Sequence, residues 1–257
     1  MNHYLSKLAR TDDESRLISR LEEIVQKALL GQVGRSDFLD LRQQELAQAA
    51  VVNTSSLIWE LDGGYEQAER KRLLAYPEWE SKVSARIAYL RITSREHPAP
   101  PIGHRDYLGA VLNLGLKREK LGDIVVQDQQ AYMMVDVDLA DFIGWHLTRV
   151  KHSQVEVEMI PPEALVFQPL QLHTAQLNLA SLRLDAAVAR AFNLSRAEVN
   201  DLVAAGQVRL NQLQVYKGSA PLKTNDLISV RGQGRFRLEN IGTVSRKGRQ
   251  QVQISRW

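Results

Sequence analysis

Two arginines stand where the chain can do chemistry on an anion. Ser195-Arg196 sits at a helix start, because Ser195 is an N-cap residue and Glu198 follows three positions later, the spacing of a capping box. Arg196 then lies on the first turn, where free N–H groups and the helix dipole attract negative charge. Arg183 stands at the start of the preceding helix, with Asp185 two residues on. Arg209 and Lys217 would line a nearby edge, and Asn211 sits in the turn between two short strands. A guanidinium pairs two-pronged with phosphate, so arginine suits this task. The competing reading makes Arg183 and Arg196 surface residues paired locally with Asp185 and Glu198. A further basic run, Ser245-Arg246-Lys247-Gly248-Arg249, would cap a hairpin between Phe236–Ile241 and Gln251–Trp257. Its Arg246, Lys247 and Arg249 are either a second phosphate contact or a solvated tip that protects an edge strand.

The elements that hold these residues read clearly. Leu184, Val188 and Phe192 form an i, i+4, i+8 stripe on one helix. Val199, Leu202 and Val203 face inward on the next, and Gly206 closes it. Val208–Asn211 alternates as a strand, Val215 and Lys217 lie on its return, and Asp226–Val230 forms another. Upstream, residues 1–80 read as mainly helical. One helix is capped by Asp12 or Asp13 and stopped by Gly31. A second is capped by Ser36 and carries Phe38, Leu41, Leu46 and Ala49. A polar helix from about Tyr65 to Leu74 follows a short strand at Leu57–Leu61. Residues 81–168 read as strand, helix, strand, strand, helix, strand, an RRM-like or ferredoxin-like sandwich. Pro161-Pro162 and Pro169 mark a linker, Leu170–Asn178 a strand, and residues 175–257 the final domain. The fold class is α+β.

Charge divides along the same line. Residues 181–257 carry 13 Lys/Arg against 5 Asp/Glu, and the rest 20 against 25, within a total of +3 over 257 residues. A basic third on an acidic body suits one domain meeting a polyanion. There is no cysteine, which excludes disulfides, thiolate metal sites and a cysteine nucleophile. The six histidines have no metal-ligand spacing, and no cofactor or metal is implied. No stretch approaches the roughly 20 apolar residues of a membrane span, and the cytoplasm or an organelle stroma is the default. A P-loop, His-Glu-x-x-His and Gly-x-Ser-x-Gly are all absent. The expectation is therefore a binder, not an enzyme. His104-Arg105-Asp106 is compatible with acid–base chemistry, but also with capping the helix it begins. Lys117, Arg118 and Lys120 form a turn that could meet phosphate, beside Glu119. The aromatic signature that lets an RRM sheet stack bases is missing, with only Tyr132 near the right strand.

The string Arg183-Leu184-Asp185, Ser195-Arg196, Leu202, Gly206, Val208, Leu210-Asn211, Val215, Asp226–Val230 resembles the S4 domain. It departs from the usual pattern at Gln212 and at Asn225-Asp226, where glycine is common. The middle of the chain resembles the YlmH-type S4 proteins, among them the photosystem II S4 domain protein of oxygenic phototrophs. That resemblance rests on Gly63-Gly64-Tyr65, Ala68–Arg72, Gly103–Gly109 and Leu114–Ile124. It implies structured RNA, rRNA or tRNA, as the partner, and the large ribosomal subunit during rescue of stalled ribosomes. Protein partners would meet the N-terminal and middle regions. Two alternatives stay open: an RNA-modifying enzyme with its site in the middle domain, and a photosystem II assembly factor acting through protein contacts.

Overall fold

The computed structural model describes residues 3–52, 54, 56–81, 83–96, 101–165, 173–245 and 248–256, with His3 and Tyr4 as backbone only. The chain divides into two compact units, Met1–Phe167 and Gln168–Trp257. Both mix helix and sheet.

The first unit opens with α1 (His3–Ser6) and α2 (Asp12–Leu29). Thr11, not Asp12 or Asp13, caps α2: its hydroxyl oxygen accepts the Glu14 N–H at 3.2 Å. Gly31 follows the helix at φ +86°, as expected of a stop. The strand β1 (Gly34–Leu39), the helix α3 (Leu41–Val51), and the strands β2 (Leu57–Asp62) and β3 (Lys71–Pro77) come next. Two sequence expectations fail here. Ser36 lies on a strand, and α3 is capped by Asp40 through a capping box with Gln43. The polar helix expected from Tyr65 to Leu74 is instead a turn leading into β3, the centre of an antiparallel sheet ordered β1-β3-β2. Leu73, Leu74 and Ala75 are completely buried there. A central strand hides both faces and loses the alternation that marks a half-exposed one. The N-terminal region is thus a small sheet packed with helices, not mainly helical.

The rest of this unit has the expected order with one short strand, β7, added: β4 (Ile87–Ser94), α4 (His104–Leu112), β5 (Leu121–Gln127), β6 (Gln130–Asp136), α5 (Ala140–His146), β7 (Arg149–Val150) and β8 (Ser153–Ile160). The antiparallel sheet is ordered β5-β6-β4-β8-β7. Leu90, Ile92, Met133 and Val135 face Tyr107, Val111 and Ile143 of the two helices in one apolar core. Burying each such side chain stabilises the unit by about 1.5–3 kcal/mol. The loop expected at His97–Pro101 lies outside the described residues except for Pro101.

The second unit begins at β9 (His173–Leu179), because residues 170–172 of the expected strand, like Pro169, lie outside the described residues. Then come α6 (Leu184–Phe192), α7 (Arg196–Ala204), β10 (Val208–Leu210), β11 (Leu213–Gln214), β12 (Leu227–Val230), β13 (Gly234–Val244) and β14 (Gln250–Arg256). Their sheet is ordered β11-β10-β12-β13-β14-β9. Leu184, Val188, Val199 and Val203 cover the face made by Val208, Ile228, Val230, Phe236 and Ile254. The expected C-terminal hairpin forms as β13 and β14. The return strand is shorter than expected: it stops at Gln214, and Lys217 lies in the loop beyond it.

Candidate nucleic-acid interface

The start of α6 brings two of the expected cations to one carboxylate and the loop that carries a third to the same helix start. Arg183 is the residue before the helix, and its Nε and Nη2 donate to the two oxygens of Asp185 at 3.1 and 2.6 Å. The loop after β11 closes on the same place, where the Gly218 carbonyl accepts the Asp185 N–H at 2.9 Å. Lys217, exposed, immediately precedes that glycine. Arg196 opens α7 close enough for its charge to act on Asp185. Burial would raise the Asp185 carboxyl, but the Arg183 hydrogen bonds, the Ala186 N–H and the charges of Arg183 and Arg196 together hold it below the usual range. Asp185 is thus neutralised by Arg183, while Arg196 and Lys217 remain exposed beside it in the chain's own helix start and loop.

Ser195 acts as the sequence suggests. Its hydroxyl oxygen accepts the Glu198 N–H at 3.2 Å, and the Glu198 carboxylate accepts the Ser195 N–H at 2.7 Å. The hydroxyl is therefore committed to the cap, and Arg196 is left exposed on the first turn.

Asn211 is not part of this cluster. Its amide donates to Asp226 Oδ1 at 2.9 Å, and its oxygen accepts the Leu227 N–H at 2.8 Å. Asn211 and Gln212 stand at φ +49° and +67°, so the tight two-residue turn forms with Gln212 in place of glycine. Arg209 also points elsewhere. Val208 is buried and Arg209 exposed, which sends its side chain to the sheet face away from α6 and α7. The strand register carries Arg209 past Ser229 to Arg235. Arg235 and Arg237, two residues apart on β13, share that outer face and were not singled out from the sequence. The alternation of Arg235, Phe236, Arg237 and Leu238 was the signal that could have found them. Arg249 is exposed, its N–H held by the Ser245 hydroxyl at 3.1 Å, whereas Arg246 and Lys247 lie outside the described residues.

In the first unit the distinctive strings of the sequence meet at one carboxylate. Asp123 accepts the Tyr65 hydroxyl at 2.8 Å, the Glu69 N–H at 2.7 Å and the Arg70 N–H at 3.1 Å. Arg70 reaches the carbonyls of Leu121 and Phe38 at 3.0 and 2.7 Å. Arg118 donates to the carbonyls of Leu121 and Gly122, and Lys120 to Asp37 at 2.6 Å. Burial, then the charge of Arg70, lowers the Arg118 guanidinium to about 10. Arg70 and Lys120 clasp the small sheet to the larger one and Arg118 ties its own turn, so Arg118 and Lys120 are committed within the protein. Gly63 is needed at the same junction, because a Cβ there would stand 2.4 Å from that of Ala68 and 2.6 Å from the Arg70 carbonyl.

His104-Arg105-Asp106 begins α4. Asp106 accepts the Gly103 N–H at 2.9 Å and pairs with Lys151 at 2.9 Å. The first of these contacts, then the second, holds the carboxyl below the usual range. That suits an ionised helix cap better than a proton donor. Among the described residues, no group of three or more His, Asp or Glu is arranged to hold a metal, and no helix is long and apolar enough to cross a membrane.

Comparison with known proteins adds three findings. Residues 97–164 match a family model described as "Putative RNA-binding domain in YlmH". Over 225 residues, 86% of each chain, the sequence is 32% identical to the ribosome-associated protein quality control protein P2 of Bacillus subtilis. The solved structure of the cell division protein ylmH from Streptococcus pneumoniae matches with a TM-score of 0.51 at 20% identity, covering 62% of this chain and 98% of that one.

Proposed function

Because this chain belongs to the YlmH family, we propose that it is an RNA-binding, ribosome-associated protein that binds rather than catalyses. Its basic second unit, read as an S4 domain, grips structured RNA, rRNA or tRNA. The first unit, whose residues 81–168 we read as RRM-like, directs that grip to the large ribosomal subunit. The observation that carries the reading is that Arg183 and Arg196 both act on Asp185 at the starts of two packed helices, where the loop carrying the exposed Lys217 is held by the Asp185 N–H. Phosphate contacts of this kind hold an RNA backbone without reading its bases. The 86% coverage of a ribosome-associated relative supports the ribosomal setting.

The test is charge reversal at the two cations that are not tied into the protein's own ion pair. The double variant Arg196→Glu, Lys217→Glu, still folded by circular dichroism, is expected to bind a structured rRNA or tRNA fragment at least tenfold more weakly than the parent chain. Equal affinity would overturn the reading. Arg183 is the poorer probe, because reversing it sets two carboxylates against each other at Asp185.

A further inference from the structure

The five-stranded sheet of the first unit has one face covered by α4 and α5; on the other, Met134 is buried and Tyr89 donates to the Gly64 carbonyl at 3.0 Å, and the remainder is open. The open face is poorly suited to an RNA chain. Its strand register sets Val125, Tyr132, Arg91 and Glu158 in one row, and Gln127, Gln130, Thr93 and Glu156 in the next. Arg91 is paired with Glu158, and Arg95 with Glu156 at 3.8 Å. The positive charge on that face is thus matched by carboxylates, and its half-buried rings are Tyr89, whose hydroxyl donates to the Gly64 carbonyl, and Tyr132.

The opposite side of the unit carries a different surface. Trp145, near the end of α5, is 77% exposed. The chain turns at once into β7, where Arg149 is exposed and Val150 buried. Lys151 and His152 then form the two-residue turn into β8, with both side chains exposed. Lys151 adopts φ +54°, a conformation such turns usually give to glycine or asparagine. Its ammonium holds the turn against the start of α4 through Asp106 at 2.9 Å, beside the exposed Arg105. Arg105, Arg149 and His152 make no ion pair among the described residues. The acidic groups nearby are Asp106, already paired, Asp141, one helical turn before Trp145, and Glu96, whose carboxylate accepts the N–H of Gln154 opposite Arg149 at 3.3 Å.

We propose that this edge, with Trp145 as a stacking platform and Arg105, Arg149, Lys151 and His152 as its basic rim, is where the first unit takes an unpaired RNA segment. The inference rests on the RNA-binding reading and assigns it a second contact, separate from the cations of the second unit. An exposed indole offers a π-face that any base can stack on, while a basic rim follows the phosphates. Every residue of the patch falls within 97–164, the segment that matches the family's RNA-binding model. The binding face of this sandwich is then its helical edge and not the open sheet.

The test uses the full chain and a fluorescent single-stranded RNA of ten nucleotides of mixed sequence, with an RNA hairpin as a second probe, followed by anisotropy. Trp145→Ala is expected to weaken binding of the single strand about tenfold or more and to affect the hairpin less. Trp145→Phe is expected to restore most of the affinity, since stacking needs a ring and not an indole. Tyr132→Ala, on the open sheet, is expected to change nothing. Single-strand affinity unaltered in Trp145→Ala overturns the proposal and leaves the patch to a protein partner; a Phe that fails to rescue overturns it too. If the parent chain binds neither RNA, the RNA-binding reading itself fails. If it binds both and ignores Trp145, only this second contact fails.

Discussion

The Tyr65 hydroxyl donates to the Asp123 carboxylate at 2.8 Å across 58 residues of sequence, joining the turn before β3 to the start of β5. The same carboxylate satisfies the N–H groups of Glu69 and Arg70. A half-buried anion with three donors is costly to remove, because the donors are then left without a partner.

Asp123→Ala is therefore expected to destabilise the first unit by about 2–4 kcal/mol. Tyr65→Phe removes one donor only and is expected to cost about 1 kcal/mol. Urea unfolding of each variant, with equal m-values, checks both numbers.

Acid is expected to loosen both units through identified groups. Glu14 is buried, which would raise its carboxyl, but hydrogen bonds from Arg42 and the Arg10 N–H bring it below the usual range. Asp185 is lowered by Arg183 and its neighbours. In the unfolded chain these groups return towards about 4.3 and 3.9. Each thus stabilises the folded state above those values, and that contribution is lost as pH falls through the lower folded value. Hydrogen exchange of α2 and α6 should be steady from pH 7 to 5 and accelerate, after correction for intrinsic rates, below about pH 4. Asp185→Asn should flatten the response of α6 alone.

The salt dependence of RNA binding should report the cations one at a time. Log affinity against log salt is expected to fall linearly, with a slope near −0.7 per phosphate contact on single strands and about −0.9 on duplex. Lys217→Ala should reduce the slope by about one contact. A slope that does not change would remove Lys217 from the interface.

Asn211→Ala separates a structural residue from a binding one. It removes two hydrogen bonds and places a less tolerant residue at φ +49°. The expected cost is about 2 kcal/mol of stability. At temperatures where the variant remains folded, RNA affinity and its salt slope should match the parent.

Much of the second unit was legible because its signals are local. The Ser195–Glu198 box, the Leu184–Val188–Phe192 stripe and the Gly206 stop each fall within nine residues. Asn211 misled because a polar turn residue can serve phosphate or backbone, and its partner Asp226 lies fifteen residues away. Arg209 misled because a one-residue step along a strand changes the face. In the first unit, β1 and β3 were missed for a physical reason: Lys71–Pro77 reads like a short apolar run after a charged one, and only its two neighbouring strands make it a strand. Lys120 looked like a phosphate ligand because the carboxylate that holds it comes from 83 residues away, and Arg118 because side-chain bonds to the carbonyls of its own turn leave no mark in the sequence. Trp145 gave no signal, since a lone tryptophan in sequence says nothing about its exposure.

The pairing of β9 with β14 joins His173–Leu179 to Gln250–Arg256 in an unbroken register. The strand that opens the second unit thus has its neighbour at the far end of that unit. A ribosome making this chain emits His173–Leu179 well before the segment that will cover it. Loop closure over that distance is slow compared with forming α6 and α7, which lie close together in sequence. The two helices can dock early, while completion of the sheet waits for synthesis of Gln250–Arg256. Until then the edge of His173–Leu179 that Gln250–Arg256 will cover is open as well as its outer one, and a chain stalled short of residue 250 would offer both to any strand that matches.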